Sequence, residues 1–246
     1  MQLTEHIYLV GGGSASFSLT HETDCSIYLI DGGDALALID AGSGLDTETI
    51  LRQVRQEGFD PRKVQSILLT HAHGDHAGGA MALRQSCGAD VYAMEPAAGF
   101  LRRGDMEATS VSAARDAGVY PADYAFSACE AIPVSDGEIL TVGKLAVRVL
   151  ATPGHAAGHA CYLAEADGAL NAFTGDLVTH GGAVALQAIW DCELTPYLQS
   201  LQRLAVCAPE RMFPGHGCFS LSNAMAQIEP ALLRMRQLRL PVNALG

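Results

Sequence analysis

Short apolar runs open the chain at 7–10, 26–30, 35–39 and 66–69, each separated from the next by Gly- or Asp-rich punctuation. Runs of this length with such boundaries predict strands. The spacing changes over 47–57, where Ile50, Leu51 and Val54 recur at helical intervals, with Asp46 placed as an N-cap and Gly58 as a stop. A second helix is predicted over about 80–86, ended by Gly88, and another strand over 90–93. From 95 to 132 the pattern shifts to alanines with Arg102 and Arg103, which reads as a helical insertion or lid. Strand signals return at 138–142, 146–150, 161–164 and 170–173. Two helices then close the chain. The first has Pro196 in its opening turn after Thr195, followed by Leu198, Leu201 and Leu204; the last starts near Ser222. Pro230 is expected to kink or interrupt that last helix. Two runs of strands, each followed by helices, predict a single domain over 1–246 in which two sheets pack face to face with helices outside.

Composition narrows the function more than the fold. Hydrophobic residues make up 49% and charged residues 17% of the chain, so a packed body is expected. The formal charge of -12 repels phosphate backbones and argues against nucleic acid as a partner. No apolar run reaches the ~18 residues of a membrane span and no secretory leader pattern opens the sequence, so a cytoplasmic protein with no membrane partner is expected. The seven cysteines show no C-x-x-C spacing and read as small core residues in a reducing compartment. Leu232, Leu233, Met235 and Leu238 near the C-terminus are candidates for the core or for a homodimer contact.

The chemistry concentrates in Thr70-His71-Ala72-His73-Gly74-Asp75-His76, directly after the apolar run 66–69, where four metal-capable side chains fall within six positions. Imidazole and carboxylate without thiolate suit zinc, iron or manganese in an open site. Gly74 is expected to supply a sharp turn between the two ligand pairs. Three further segments repeat one design, a strand ending in a Gly-marked turn that delivers a ligand: Thr152-Pro153-Gly154-His155, Phe173-Thr174-Gly175-Asp176 and Phe213-Pro214-Gly215-His216.

With Ile39-Asp40-Ala41-Gly42, these ordered motifs resemble the metallo-β-lactamase-fold superfamily over 38–217. The resemblance implies an α+β fold, a four-layer αββα sandwich with its ligands on loops along one edge of the two sheets. It implies that His71, His73 and His155 bind one divalent metal and Asp75, His76 and His216 a second, with Asp176 bridging and Asp40 orienting a ligand. Two such ions, zinc by expectation with iron or manganese as alternatives, make hydroxide available at neutral pH. Asp75 is also a candidate proton shuttle to the leaving group. His159 reads as a support behind the ligands and His180 as a candidate substrate contact. His6 and His21 read as exposed polar side chains, and Arg102 and Arg103 as a solvated face or a carboxylate-binding pair. Trp190, Asp191 and Tyr197 are candidates for the pocket wall.

Asp176 fills a bridging position that the lactamase branches generally lack, so the site looks more like the thioesterase and lactonase branches. Only thirty residues follow His216, too few for the helical domain that binds glutathione in glyoxalase II-like enzymes. Acyl-homoserine lactonases usually carry a tyrosine where this chain has Thr179. The expectation is therefore hydrolysis of an ester, thioester or lactone of a small molecule. Oxygen chemistry at iron, as in persulfide dioxygenases or flavodiiron proteins, and hydrolysis of a small phosphodiester are the alternatives on the same scaffold.

Overall fold

The computed structural model describes residues 1–244. The first apolar runs form β1 (Ile7–Gly11), β2 (Ile27–Asp31), β3 (Leu36–Ile39), β4 (Val64–Leu68) and β5 (Asp90–Met94), joined by β6 (Ile132–Val134), which the sequence pattern did not suggest. They lie side by side in chain order, antiparallel from β1 to β3 and parallel from β3 to β6. The second sheet contains β7 (Ile139–Val142), β8 (Leu145–Ala151), β9 (Ala160–Ala166), β10 (Ala169–Gly175) and β11 (Arg211–Pro214). Its order is β11-β10-β9-β8-β7, antiparallel except for the parallel β10–β11 pair.

Strand residues alternate between two apolar layers, as the two-residue repeat of a pleated strand requires. Tyr28, Ile30, Ala37, Ile39 and Leu68 of the first sheet meet Val147, Val149, Tyr162 and Phe173 of the second between the sheets. Ile27, Leu29, Leu36, Leu38 and Ile67 point the other way, under α1 (Thr47–Gln56), α2 (Gly74–Ala77), α3 (Ala80–Cys87), α4 (Ala97–Arg103) and α5 (Val111–Asp116). Cys161, Leu163 and Ala172 point outward beneath α6 (Leu194–Cys207) and α7 (Met225–Arg236). The four-layer αββα sandwich thus follows from strands buried on both faces, which read as nearly continuous apolar runs.

Several local expectations change. α1 is capped as expected, with the Asp46 carboxylate accepting from Thr49 N at 3.2 Å. α6 begins at Leu194, after Glu193, so Pro196 is its third residue. α7 runs through Pro230 without interruption; the missing N–H forfeits one bond in mid-helix, and buried Ile228, Ala231 and Leu232 keep the helix seated. Leu232 is core whereas Leu233 and Leu238 are exposed. The 95–132 segment is helical only in α4 and α5. Cys25, Cys87, Cys129 and Cys161 are buried, but Cys218 is exposed and departs from the core reading. Among the described residues, no helix is long and apolar enough to cross a membrane.

Candidate metal centre

The motif segments follow the C-terminal ends of β3, β4, β8, β10 and β11 on one edge of the sandwich, with Asp75 and His76 on α2. Backbone bonds tie those ends together: Ala160 N donates to Thr70 O at 2.8 Å, Gly215 N to Gly175 O at 2.8 Å, and Ser26 N to Gly215 O at 2.6 Å. The two sheets therefore present their loops as one rigid rim. His71, His73 and His155 bring one nitrogen each within 4.8 Å of one another, as do the donor atoms of Asp75, His76 and His216. The segments converge although their residues span 71 to 216.

Asp176 stands between the two sets. Its Oδ1 lies 3.2 Å from His76 Nε2, and its Oδ2 lies 3.5 Å from both His155 Nε2 and His216 Nε2. Asp75 Oδ2 lies 3.0 Å from His216 Nε2 and 3.5 Å from His76 Nε2. Buried polar atoms normally find partners. Here His71 Nε2, His76 Nε2 and Asp176 Oδ1, all turned into the site, make no hydrogen bond among the described residues. A converging set of imidazoles and carboxylates with unused capacity fits divalent cations, and seven motif donors that are all imidazole or carboxylate point to open rather than closed coordination.

The ring orientations are set from behind. Asp40, at φ +65° after β3, accepts from Thr70 N at 2.7 Å and holds His76 Nδ1 at 2.8 Å, which directs Nε2 inward. Thr70 Oγ1 also meets His71 Nδ1 at 3.0 Å. His155 Nδ1 donates to Ala185 O at 2.8 Å, leaving Nε2 as an acceptor 3.1 Å from His73 Nδ1. His159 uses both nitrogens: Nδ1 bonds Thr152 Oγ1 at 2.9 Å and Nε2 accepts from Asp176 N at 3.2 Å. It supports the Asp176 backbone and has no nitrogen left to ligate.

Glycine at two positions has causes that the sequence did not show. Gly74 opens α2 and does not make the sharp turn expected of it; a Cβ there would lie 2.8 Å from the Tyr120 hydroxyl oxygen. At Gly215 a Cβ would lie 2.5 Å from Asp176 Oδ1 and 2.6 Å from His76 Cε1, so a side chain would intrude on the ligands themselves.

Electrostatics divide the site. Burial, reinforced by neighbouring imidazoles, drives His71 well below the usual histidine range and His73 down to about 3, so both are neutral donors. Burial acts the same way on His216 and His76, but the surrounding acids outweigh it: Asp176 and Asp75 raise His216, and Cys25, Asp75, Asp176 and Asp40 raise His76. Burial opposes ionisation of Asp75, yet His76 and His216 bring it down to about 2, and His216 and His76 hold Asp176 well below the carboxylate range.

Other expected residues fall elsewhere. His180 is exposed on a short 3-10 turn at 180–182 that packs on α7, and it joins none of the converging groups. Tyr197 is fully buried instead of lining a wall; its one hydroxyl hydrogen is shared between the carbonyl oxygens of Asp176 and Leu177, 2.7 and 2.8 Å away. Arg102 pairs with Glu95 at 2.7 Å and with Ala131 O at 2.9 Å, and Arg103 with Asp105 at 3.3 Å. His6 is not a free polar side chain, because its ring pairs with Asp167. Cys25, read from sequence as core only, lies in a group with Asp40 and His76, and no spacing signal connects it to them.

The sequence model of the metallo-beta-lactamase superfamily matches residues 22–216. The chain is 32% identical over 192 residues to the lactamase-like protein vrtG of Penicillium aethiopicum, covering 77% of this chain and 50% of that one. It is 31% identical over 215 residues to the lactamase-like protein nscB of Neosartorya fischeri, covering 86% and 52%. The chain thus spans about half the length of the curated relatives it matches. Among solved structures, a metallo-beta-lactamase family protein from Thermus thermophilus superposes with TM-score 0.72 at 26% identity, covering 96% of this chain and 81% of that one. A B3 metallo-beta-lactamase with an active-site glutamic acid superposes with TM-score 0.69 at 25% identity, covering 95% and 88%. Fold, motif order and sequence agree that this chain belongs to the metallo-beta-lactamase superfamily.

Proposed function

We propose that this chain is a hydrolase that works with two divalent metal ions, zinc by preference, to cleave the ester, thioester or lactone carbonyl of a small molecule. The observation that carries this reading is Asp176, whose two oxygens face His76 on one side and His155 and His216 on the other. In it, His71, His73 and His155 would hold one ion, Asp75, His76 and His216 the other, and Asp176 would be shared. When bound, such ions bring a water to a pKa of ~7 and polarise a carbonyl oxygen.

The chain's own residues supply orientation and proton handling. Asp40, Thr70 and the Ala185 carbonyl fix which nitrogen each ring turns inward. His159 and Tyr197 hold the backbone on either side of the Asp176 carboxylate. Asp75 is the most solvent-accessible carboxylate of the set, with 25% of its side chain exposed against 7% for Asp176. It is therefore the group we assign to carry the proton from water towards the leaving group. Preference for these carbonyls over a β-lactam rests on an aspartate standing at position 176.

The test is metal analysis followed by a panel of small esters, thioesters, lactones, β-lactams and bis-p-nitrophenyl phosphate, with the protein at known metal content. Two metals per chain and turnover confined to the first three classes are expected. Iron-only activity that consumes oxygen, or turnover of the phosphodiester alone, would replace the proposal with one of the two alternatives.

A further inference from the structure

A cavity of about 290 Å³ opens beside the metal centre, and none of the seven proposed ligands lines it. Its walls come from the end of β5 and the cis Glu95-Pro96 bond, from the 153–159 loop that carries His155, and from Trp190, Asp191 and Glu193 before α6. The charged side chains in this lining are all acidic. Glu95 is already paired with Arg102 at 2.7 Å, whereas Asp191 and Glu193 have no cationic partner among the described residues. His159 also lines the cavity, but both its nitrogens are occupied.

Asp191 is an unusual group to find there. Only 6% of it is exposed; Oδ2 accepts from Ala157 N at 2.8 Å, while Oδ1 has no partner. A buried carboxylate oxygen left without a donor is costly and is relieved by a ligand that brings one. Trp190, 59% exposed, stands at the same wall with Phe100 edge-on at 5.9 Å. An indole face beside carboxylates favours an organic cation through cation–π attraction added to charge. Among the described residues neither Asp191 nor Glu193 belongs to a set of three or more ligand atoms converging within 4.8 Å, so this lining forms no metal cage.

We propose that this cavity is a second binding site, for a small organic cation of the ammonium or guanidinium class, with Asp191 as its anchor and Trp190 as its stacking face. The site adjoins the metal centre through the 153–159 loop. It does not depend on the hydrolase reading.

Trp190 is the only tryptophan in the chain, so its emission reports on this cavity without an activity assay. The experiment is a fluorescence titration of the full chain, metal-free and zinc-loaded, with butylguanidinium, with its neutral isostere butylurea, and with butyrate. A saturable change with butylguanidinium is expected, with at least tenfold weaker binding of butylurea and none of butyrate. Asp191→Asn keeps an oxygen for Ala157 N and should weaken the cation tenfold or more, and Glu193→Gln should weaken it less. Unchanged circular dichroism and zinc content establish that the variants are folded. Equal binding of cation and urea, no saturable change, or full affinity in folded Asp191→Asn protein would each overturn the proposal.

Discussion

Histidine meets carboxylate at both ends of this sandwich, and the bonding closes differently at each. At the end away from the metal centre, His6 precedes β1 and Asp167 lies in the turn between β9 and β10; the ring pairs with Asp167 Oδ1 while His6 N donates to Oδ2 at 3.3 Å. Glu5 stands close enough to complete a triad of possible ligands. His6 and Asp167 satisfy each other, and the pair clasps the first sheet to the second. At the other end, the imidazoles of the HAHGDH segment, His155 and His216 crowd together with Asp75 and Asp176 and still leave ring nitrogens and an Asp176 oxygen unused. Proximity of His and Asp is common to both ends. Unspent, buried lone pairs belong to one, and they are what marks a site able to hold cations.

The comparison breaks most sharply at Asp176. Asp176→Ala should remove metal from the paired site and lower turnover by several orders of magnitude, read by metal analysis and kinetics on the same preparation. Wild-type metal content in that variant would sink the bridging assignment. Gly215→Ala comes next: its methyl would lie against Asp176 and His76, so loss of at least one metal is expected while the Cys-free interior between the sheets stays intact by circular dichroism. Asp40→Asn and His159→Ala act behind the ligands and should each cost ~10–100-fold in metal affinity or turnover. If His159→Ala loses one metal outright, its ring is a ligand and the bonding described above is incomplete.

The smallest effect belongs to the far end. Hydrogen bonding to Asp167 raises His6 above its ordinary 6.5, so this share of stability is complete below 6.5 and is lost as pH rises through the raised value. Burial works against ionised Asp167, but hydrogen bonds from Thr4 and His6 outweigh it and hold it below 3.8. Its share is complete above 3.8 and is lost as pH falls through the lowered value. The pair therefore contributes most between roughly pH 4 and 6.5. With His6 partly in solvent, Asp167→Asn should cost under about 1 kcal/mol, or ~2–4 °C in Tm at pH 5.5. The loss should shrink at pH 8, and metal content should not change. Metal loss in this variant would erase the distinction between the two ends.

What could be read from the chain was local. Continuous apolar runs announce strands covered on both faces, because a residue pair such as Tyr28 and Leu29 must each meet a hydrophobic layer. Four metal-capable side chains in HAHGDH, and three Gly-marked turns ending in His155, Asp176 and His216, announce the ligands because imidazole and carboxylate at strand ends have few other uses together. β6 was not legible, since Ile132-Pro133-Val134 is too short to show a period. The seat of Gly74 was not legible either, because its neighbour Tyr120 is distant in sequence.

Tertiary structure alone decided which lone pairs remain free. The bonds that orient His76 and His155 come from Asp40 and the Ala185 carbonyl, which lie 36 and 30 residues away along the chain. It also turned Tyr197 into a brace for Asp176, and it set Trp190 and Asp191 around a separate cavity. Sequence determines which groups can donate and accept; only the meeting of distant strand ends determines which of those capacities are used up and which are left over.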